Sequence, residues 1–204
     1  MTARWGGARY GADPVTVARD LLGQRLVRVL DSGERLSGLI VETEAYLGID
    51  DRAAHTFGGR RTLRVEPMWG PPGLAYVYFT YGMHHCMNVV CGREGEPVAV
   101  LLRAVEPVEG IGAMRSARGD AGRPTADHRL CAGPALLCRS MRIGKEFSGE
   151  DMRRSGRLFV EPVRRPAGFA ARIGVSPRVG IPNAGAWRDK PLRFFVMGSP
   201  ALSR

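Results

Sequence analysis

The segment from Leu74 to Cys91 constrains the fold of this chain more than any other part of the sequence. Residues 74–81 are mostly aromatic or β-branched, and residues 84–91 form a second run with strand character. Tyr81-Gly82-Met83 connects the two runs and is typical of a turn. The segment therefore predicts a β-hairpin, whose two strands pair antiparallel.

Further strand and helix patterns extend this hairpin into a larger sheet. Strands are predicted at Arg25–Leu30, Ser37–Tyr46, Val98–Val105 and, shorter, near 157–162, 169–174 and 192–197. Helices are predicted after the Asp13-Pro14 cap, at Ile111–Arg118 and at Ala126–Met141, the last with a break at Gly133-Pro134. No internal repeat or long linker divides the 204 residues. The prediction is an α+β fold with a largely antiparallel sheet in one domain, 1–204, of which the polar, Gly-rich residues 1–11 are a flexible N-terminus.

The strand predicted at Ser37–Tyr46 carries the first residues with chemical interest. Side chains alternate between the faces of a strand, so Glu42, Glu44 and Tyr46 share one face. A carboxylate beside a tyrosine and an arginine can deprotonate a water molecule, which makes Glu44 a candidate general base. Two other interpretations stay open at this point, a solvated strand carboxylate and a core carboxylate paired with Arg103, an arginine in an otherwise apolar strand.

Tyrosine side chains are concentrated around the same strands, at positions 46, 76, 78 and 81. Rings on strands are usually part of a core. Tyr81 differs because it stands at the predicted hairpin tip, where a large ring loses hydration unless it inserts into something. Tyr81, supported by Met83, is therefore the candidate for a wedge.

The net charge of +10 indicates a polyanionic partner, most often nucleic acid. Nearly all of the 30 basic residues are arginines, since Lys145 and Lys190 are the only lysines. A genome-wide preference for Arg codons would explain Arg over Lys, but it would not explain the excess of positive charge. No apolar run approaches the roughly 20 residues that span a membrane, and no secretory signal precedes the domain, so we expect a cytoplasmic protein.

The cysteines and histidines do not predict a metal site. Cys86, Cys91, Cys131 and Cys138 include no C-x-x-C pair, and disulfides are not expected in this context. Of the run 84–86, only His84 and Cys86 point to one face of a strand, and no second cluster completes a ligand set.

Four segments resemble the alkyladenine (3-methyladenine) DNA glycosylase family of mammalian-type enzymes and bacterial relatives. They are Val41–His55, Tyr76–Asn88, Leu101–Ala104 and Lys190–Phe194, and the resemblance extends from about residue 12 to residue 200. It implies a single domain with a curved antiparallel sheet, flanking helices and a protruding β-hairpin. It also implies a monofunctional glycosylase that flips alkylated purines, with deaminated purines as further candidates, out of duplex DNA. The N-glycosidic bond is then hydrolysed by a Glu-activated water, which initiates base excision repair.

The resemblance assigns roles to residues of this sequence by position. Glu44 matches the general base, and Arg103 matches an arginine that places the attacking water. Asn88 matches a residue that crowds the exocyclic amine of normal guanine. The base pocket corresponds to Tyr46, His55 and Tyr78, and the gap left by the flipped nucleotide is filled by Tyr81, which Met83 supports. The implied partner is double-stranded DNA with damaged purines, bound by a monomer that needs no cofactor and no metal.

The chain also departs from the family pattern at four positions. Leu63, Val65 and Trp69 change a loop beside the pocket, and Leu136 stands where a cation is usual on a DNA-facing helix. These changes concern substrate range and affinity more than reaction type. A non-catalytic nucleic-acid-binding module of the same fold is the alternative function. A strand-cleaving lyase is disfavoured because both lysines lie far along the sequence from the motifs.

Overall fold

The protein, described from a computed structural model over residues 3–80, 82–119 and 125–203, is built on one curved sheet. Over these residues the sheet has eight antiparallel strands, and this confirms the α+β class. The strands are β1 (Arg25–Val29), β2 (Arg35–Tyr46), β3 (Ala75–Thr80), β4 (His84–Cys91), β5 (Val98–Glu109), β6 (Leu158–Glu161), β7 (Ile173–Ser176) and β8 (Arg193–Val196). The main path runs β3-β4-β5-β2-β1-β6, and β8 joins β2 to β7.

Strand β2 is the centre of the sheet and positions the candidate site. One edge pairs with β5 along nearly its whole length. The other edge pairs first with β1 and then, from Glu42 to Glu44, with β8. The register with β5 shifts around Glu42, as at a β-bulge, and such irregularities bend a strand and redirect its side chains.

The predicted hairpin is confirmed as β3 and β4, which pair from Ala75 opposite Val89 to Thr80 opposite His84. Its end is exposed, since the Phe79 and Met83 side chains are 47% and 70% accessible to solvent. Tyr81 lies outside the described residues.

The helices cover one face of the sheet. They are α1 (Gly7–Tyr10), α2 (Pro14–Leu21), α3 (Ile111–Arg118) and α4 (Pro134–Ser140). The Asp13 side chain caps α2 by accepting hydrogen bonds from the first-turn amides, as the sequence predicts. Helix α2 packs on β2, where the Thr43 hydroxyl donates to the Ala18 carbonyl at 2.9 Å. The main hydrophobic core fills the space between these helices and the sheet.

Two aromatic side chains of the N-terminal segment pack into the core. Over residues 3–11, Trp5 and Tyr10 are buried and their rings meet edge to face at 5.2 Å. The Trp5 amide also donates to the Val160 carbonyl of β6 at 2.9 Å. The two aromatic side chains attach a segment that is otherwise polar and Gly-rich to the core.

Two predicted elements have different bounds. The helix predicted at Ala126–Met141 with a break at Gly133-Pro134 does break there, since Gly133 has a φ of 135°, but the part before the break is only a 3₁₀ turn at Asp127–Arg129 and α4 follows it. The strand predicted at 169–174 begins only at Ile173, after a 3₁₀ turn over Phe169–Arg172. No helix within the described ranges is long and apolar enough to cross a membrane.

Candidate active site

A cavity of about 370 Å³ opens between the hairpin, the edge of β5 and two loops. Its size falls in the range of roughly 300–1,000 Å³ that is usual for ligand pockets. Alternate residues of β3 and β4 line one wall, and the 53–55 and 179–181 loops close the others. The residues that line the cavity include Tyr46, His55, Tyr76, Tyr78, Asn88, Arg103 and Val179.

Glu44 lies directly behind this lining and is fully buried. One carboxylate oxygen accepts a hydrogen bond from the Tyr46 hydroxyl at 3.0 Å. The other accepts from the Val179 amide at 2.7 Å and lies 3.2 Å from Arg103 Nη1. Because these two donors and Arg103 all belong to residues that line the cavity, Glu44 is held at its wall. Burial raises the pKa of Glu44, while the Arg103 charge and the two hydrogen bonds oppose that shift.

Glu42 is equally buried but is enclosed by other partners. Its carboxylate accepts from Arg103 Nε at 2.8 Å, from Arg193 Nε at 2.7 Å and from the backbone and hydroxyl of Ser203, both at 2.7 Å. Burial acts to raise the pKa of Glu42, but the bonds from Ser203 and Arg193 and the Arg103 charge outweigh it, so the pKa lies below its ordinary value. Glu42 therefore holds the C-terminal segment and Arg103 in place.

Arg103 joins the two carboxylates and is itself buried. The alternative of a core carboxylate paired with Arg103 fits both residues, since each is fully buried and forms an ion pair with that guanidinium. Glu44 differs because its other partners, Tyr46 and Val179, line the cavity. The strand pattern places Glu42 and Glu44 on the same face and does not distinguish them. In the structure they differ in their hydrogen-bond partners.

A buried ion pair supports Tyr46 from behind. Arg178 donates to both oxygens of Asp51, at 2.6 and 2.8 Å, and to the Ala45 carbonyl at 2.9 Å. Its guanidinium also lies over the Tyr46 ring, 4.6 Å from the ring centre. The adjacent residue, Val179, carries the amide that binds Glu44. The Asp51–Arg178 pair thus fixes a ring and a backbone donor of the site together.

His55, Tyr76 and Tyr78 form an aromatic corner of the cavity. The Tyr76 and Tyr78 rings stack at 5.5 Å, and the His55 ring meets Tyr78 edge-on at 4.6 Å. A hydrogen bond of 2.9 Å joins His55 Nδ1 to the Tyr76 hydroxyl. Burial, together with the nearby Arg64 and Arg60 charges, lowers the pKa of His55 to about 4, so the imidazole is neutral at pH 7.

Asn88 lies opposite Tyr76 in the hairpin and points into the cavity. Its side chain is buried, and Nδ2 donates to the Tyr76 carbonyl at 3.3 Å. This bond fixes the amide at the cavity wall, so Asn88 limits the space there.

The structure thus brings most of the predicted site residues together around one cavity. They are Glu44, Tyr46, His55, Tyr78, Asn88 and Arg103. Met83 is separate, since it lies on the exposed end of the hairpin and lines a neighbouring groove. Within the described part of the chain, no three His, Cys, Asp or Glu side chains are grouped as metal ligands.

Sequence reasoning missed the residues that the 175–190 connection contributes. This Pro- and Gly-rich stretch supplies Arg178 and Val179 to the site. One sequence signal could have indicated this contribution, namely an arginine in a Pro- and Gly-rich loop and an aspartate, Asp51, shortly after β2. The spacing of these two residues along the sequence does not show that they form an ion pair. Two of the residues that depart from the family pattern lie in different environments. Val65 is buried in a small cluster behind Tyr76, whereas Leu63 is 96% exposed.

The amino-acid sequence of the chain matches one known class of protein. A family model described as methylpurine-DNA glycosylase matches residues 8–200, and the chain belongs to this family. Among its relatives, the human DNA-3-methyladenine glycosylase is 46% identical over 98% of this chain, and the mouse enzyme of that name is 44% identical over 99% of it. A putative 3-methyladenine DNA glycosylase of Bacillus cereus is 44% identical over 96% of both chains.

The chain spans 62% of the length of the mouse relative and 68% of the human one. The bacterial relative is matched over nearly its whole length.

Proposed function

We propose that this protein is a monofunctional DNA glycosylase that removes alkylated purines from double-stranded DNA as the first step of base excision repair. One observation carries the proposal: the buried Glu44 is held by three groups of the cavity wall. Two of these groups belong to the side chains of Tyr46 and Arg103. Relatives named DNA-3-methyladenine glycosylase support 3-methyladenine as a substrate.

The cavity favours a flat, positively charged ligand. Alkylation at N3 or N7 gives a purine a positive charge, and an aromatic face gains about 0.5–2 kcal/mol from such a cation. Tyr46 and the stacked Tyr76 and Tyr78 rings supply such faces. A neutral His55 adds no competing positive charge and offers a hydrogen bond to a ring edge. Deaminated purines lack the charge, so they would depend on hydrogen bonds and shape alone.

The reaction needs the base outside the duplex and a water molecule on its sugar. Flipping a base out costs a few kcal/mol, and less for a damaged or mispaired base. Tyr81, outside the described residues, and the exposed Met83 are the proposed residues that fill the vacated space. A wedge at a hairpin tip is suited to insertion from the minor groove.

Glu44 is the proposed general base for that water. As the water oxygen bonds to C1′ of the deoxyribose, Glu44 takes the proton and the C1′–N bond breaks, with its electron pair leaving on the purine. Arg103 orients Glu44 and favours its ionised form, since the Arg103 charge opposes the effect of burial on the pKa of Glu44. A purine that is already cationic leaves as a neutral base, so the protein has to supply little beyond a positioned water.

The overall charge supports DNA as the partner, because 30 basic residues against 20 acidic ones supply phosphate contacts. We further propose that the protein acts as a monomer in the cytoplasm and uses no cofactor or metal. A dialysed, EDTA-treated sample should therefore retain its activity.

Release of free base from defined oligonucleotides tests the proposal. Duplexes carrying one 3-methyladenine analogue, 7-methylguanine, hypoxanthine or ethenoadenine are incubated with the protein, and the free base is measured by chromatography. We expect release of at least one alkylated purine and strand cleavage only after alkali. Binding without base release would indicate the non-catalytic module, and cleavage without alkali would indicate a lyase.

A further inference from the structure

A second concave surface lies beside the candidate active site, between the hairpin end and helix α4. This tip groove has a volume of about 530 Å³ and is lined by Met83, His84 and His85 of the hairpin and by Arg139, Arg142 and Glu146. Helix α4 separates it from the first cavity, since Pro134 lines the cavity and the next residue lines the groove. Apart from Met83 at the hairpin end, these groove residues have no part in the proposed function.

Arg142 has an unusual backbone conformation. Among the residues that the structure describes, it is the only non-glycine residue with a positive φ, at 50°. Side chains disfavour this left-handed region, and such strain concentrates at functional positions. Glycine would be the low-strain residue directly after the end of a helix. Arg142 is exposed and lines the groove. An arginine at this position indicates that its guanidinium makes an interaction that outweighs the strain of the left-handed backbone.

The charge of the tip groove is predominantly positive. Arg139 and Arg142 are both exposed, and no carboxylate in residues 3–80, 82–119 or 125–203 forms an ion pair with either. Arg139 donates Nε to the Ala117 carbonyl at 3.2 Å, which holds the side chain along α3. Glu146 is the acidic residue of the groove, and its carboxylate accepts the Gly144 amide at 3.2 Å.

The position of the groove relative to the hairpin end identifies its ligand. Met83 belongs both to the exposed hairpin end and to the groove wall, and His84 is the first paired residue after the tip. When the tip enters a duplex, the backbone of a strand must pass along its flank. Each strand carries one phosphate per roughly 3.4 Å of helix axis, so phosphates come within reach of this flank.

We infer that the tip groove binds the DNA sugar-phosphate backbone beside the hairpin, through Arg139 and Arg142. This inference rests on the proposed function and names where one of its DNA contacts is made. Guanidinium groups bind phosphates by paired, charge-assisted hydrogen bonds, and the histidine rings add N–H donors. The strained Arg142 is then a backbone anchor that keeps the duplex against the wedge.

The salt dependence of DNA binding tests this inference directly. The ligand is a duplex with a tetrahydrofuran abasic analogue, which the enzyme cannot cleave, and affinity is measured by fluorescence anisotropy at several KCl concentrations. The test protein is the double variant Arg139→Gln/Arg142→Gly, whose glycine suits the left-handed backbone. Arg154→Ser is the matched control, because its side chain is 88% exposed and lies near Asp151, which bridges to Leu74 at the far end of the hairpin.

Each lost phosphate contact reduces the slope of log affinity against log salt by about 0.9. We expect the double variant to lose about 1.8 from the wild-type slope and Arg154→Ser to keep the wild-type slope. A double variant with the wild-type slope, or one no different from Arg154→Ser, would overturn the inference. Thermal unfolding confirms that each variant is folded. Base release by the wild type, measured on the same preparation, separates this result from a failure of the proposed function.

Discussion

Glu42 and Glu44 lie two residues apart on β2 and share one guanidinium, with Arg103 Nε 2.8 Å from Glu42 and Nη1 3.2 Å from Glu44. Their pKa values nevertheless move in opposite directions. Glu42 receives further bonds from Arg193 and Ser203, whereas at Glu44 the effect of burial dominates. One carboxylate is thereby kept firmly ionised as part of the scaffold. The other is held in a state where accepting a proton is easier, as a general base requires.

Replacing each carboxylate with glutamine should therefore change stability in opposite directions. The folded-state pKa of Glu42 lies below the ordinary 4.5, so its contribution is present above pH 4.5 and is lost as the pH falls through the folded-state value. Glu42→Gln should lower the free energy of unfolding at pH 7 by about 1–3 kcal/mol, as expected for a charged hydrogen-bonded group.

For Glu44 the expected change in stability has the opposite sign. Its folded-state pKa lies above 4.5, so its contribution is present below pH 4.5 and is lost as the pH rises through the folded-state value. Glu44→Gln should unfold at the same temperature as the wild type, or at a higher one, and its advantage should grow as the pH rises above 4.5 towards the folded-state pKa. Thermal unfolding of the three proteins across that range checks both signs. A Glu44→Gln variant that unfolds well below Glu42→Gln at pH 7 would contradict this assignment.

The Asp51–Arg178 pair should behave as a single buried unit. Both side chains are fully buried, so removing one partner leaves an uncompensated charge and should cost roughly 3–5 kcal/mol. Asp51→Asn and Arg178→Gln should each be strongly destabilised, and the double variant should lose less than the sum of the two. Urea denaturation of the four proteins gives the coupling free energy. Additive losses, or single variants within about 0.5 kcal/mol of the wild type, would mean that the pair does not clamp the Val179 segment.

Asn88 should determine how well normal guanine is rejected. Its amide is fixed on the Tyr76 carbonyl and borders the cavity, where it would meet the 2-amino group of guanine. Asn88→Ser should raise the excision of guanine from a G·T duplex, where flipping is easier, and should change excision of 3-methyladenine much less. Single-turnover assays of both substrates make the comparison. Equal guanine rates in variant and wild type would assign Asn88 a structural role only.

The sequence predicted the strands that carry the site because their patterns are local. Alternation along β2 placed Glu42, Glu44 and Tyr46 on one face, and the β3–β4 hairpin followed from its composition and turn. Strand bounds mostly differ from the prediction by a few residues. Helices were less predictable: the break at Gly133-Pro134 is where the sequence indicates it, but the residues before it form only a 3₁₀ turn at Asp127–Arg129 instead of a helix.

The strand pattern alone could not distinguish Glu42 from Glu44, because their difference depends on contacts distant in sequence, and only the family resemblance assigned the base to Glu44. Ser203 and Arg193 reach Glu42, and the Val179 amide reaches Glu44, only after β8 and the 177–181 loop have folded onto β2. The role of Trp5 and Tyr10 in anchoring the N-terminus was missed for the same reason.

The excision rate of Glu44→Gln tests the central claim most directly. The glutamine keeps the shape of the side chain and removes the base, and Glu34→Gln at an exposed turn is the matched control. Single-turnover excision of 7-methylguanine is measured at pH 7 with saturating enzyme, alongside binding to the lesion duplex. We predict that Glu44→Gln excises at least about 100-fold more slowly while still binding the lesion, and that Glu34→Gln matches the wild type. Excision by Glu44→Gln near the wild-type rate would contradict the assignment of Glu44 as the general base.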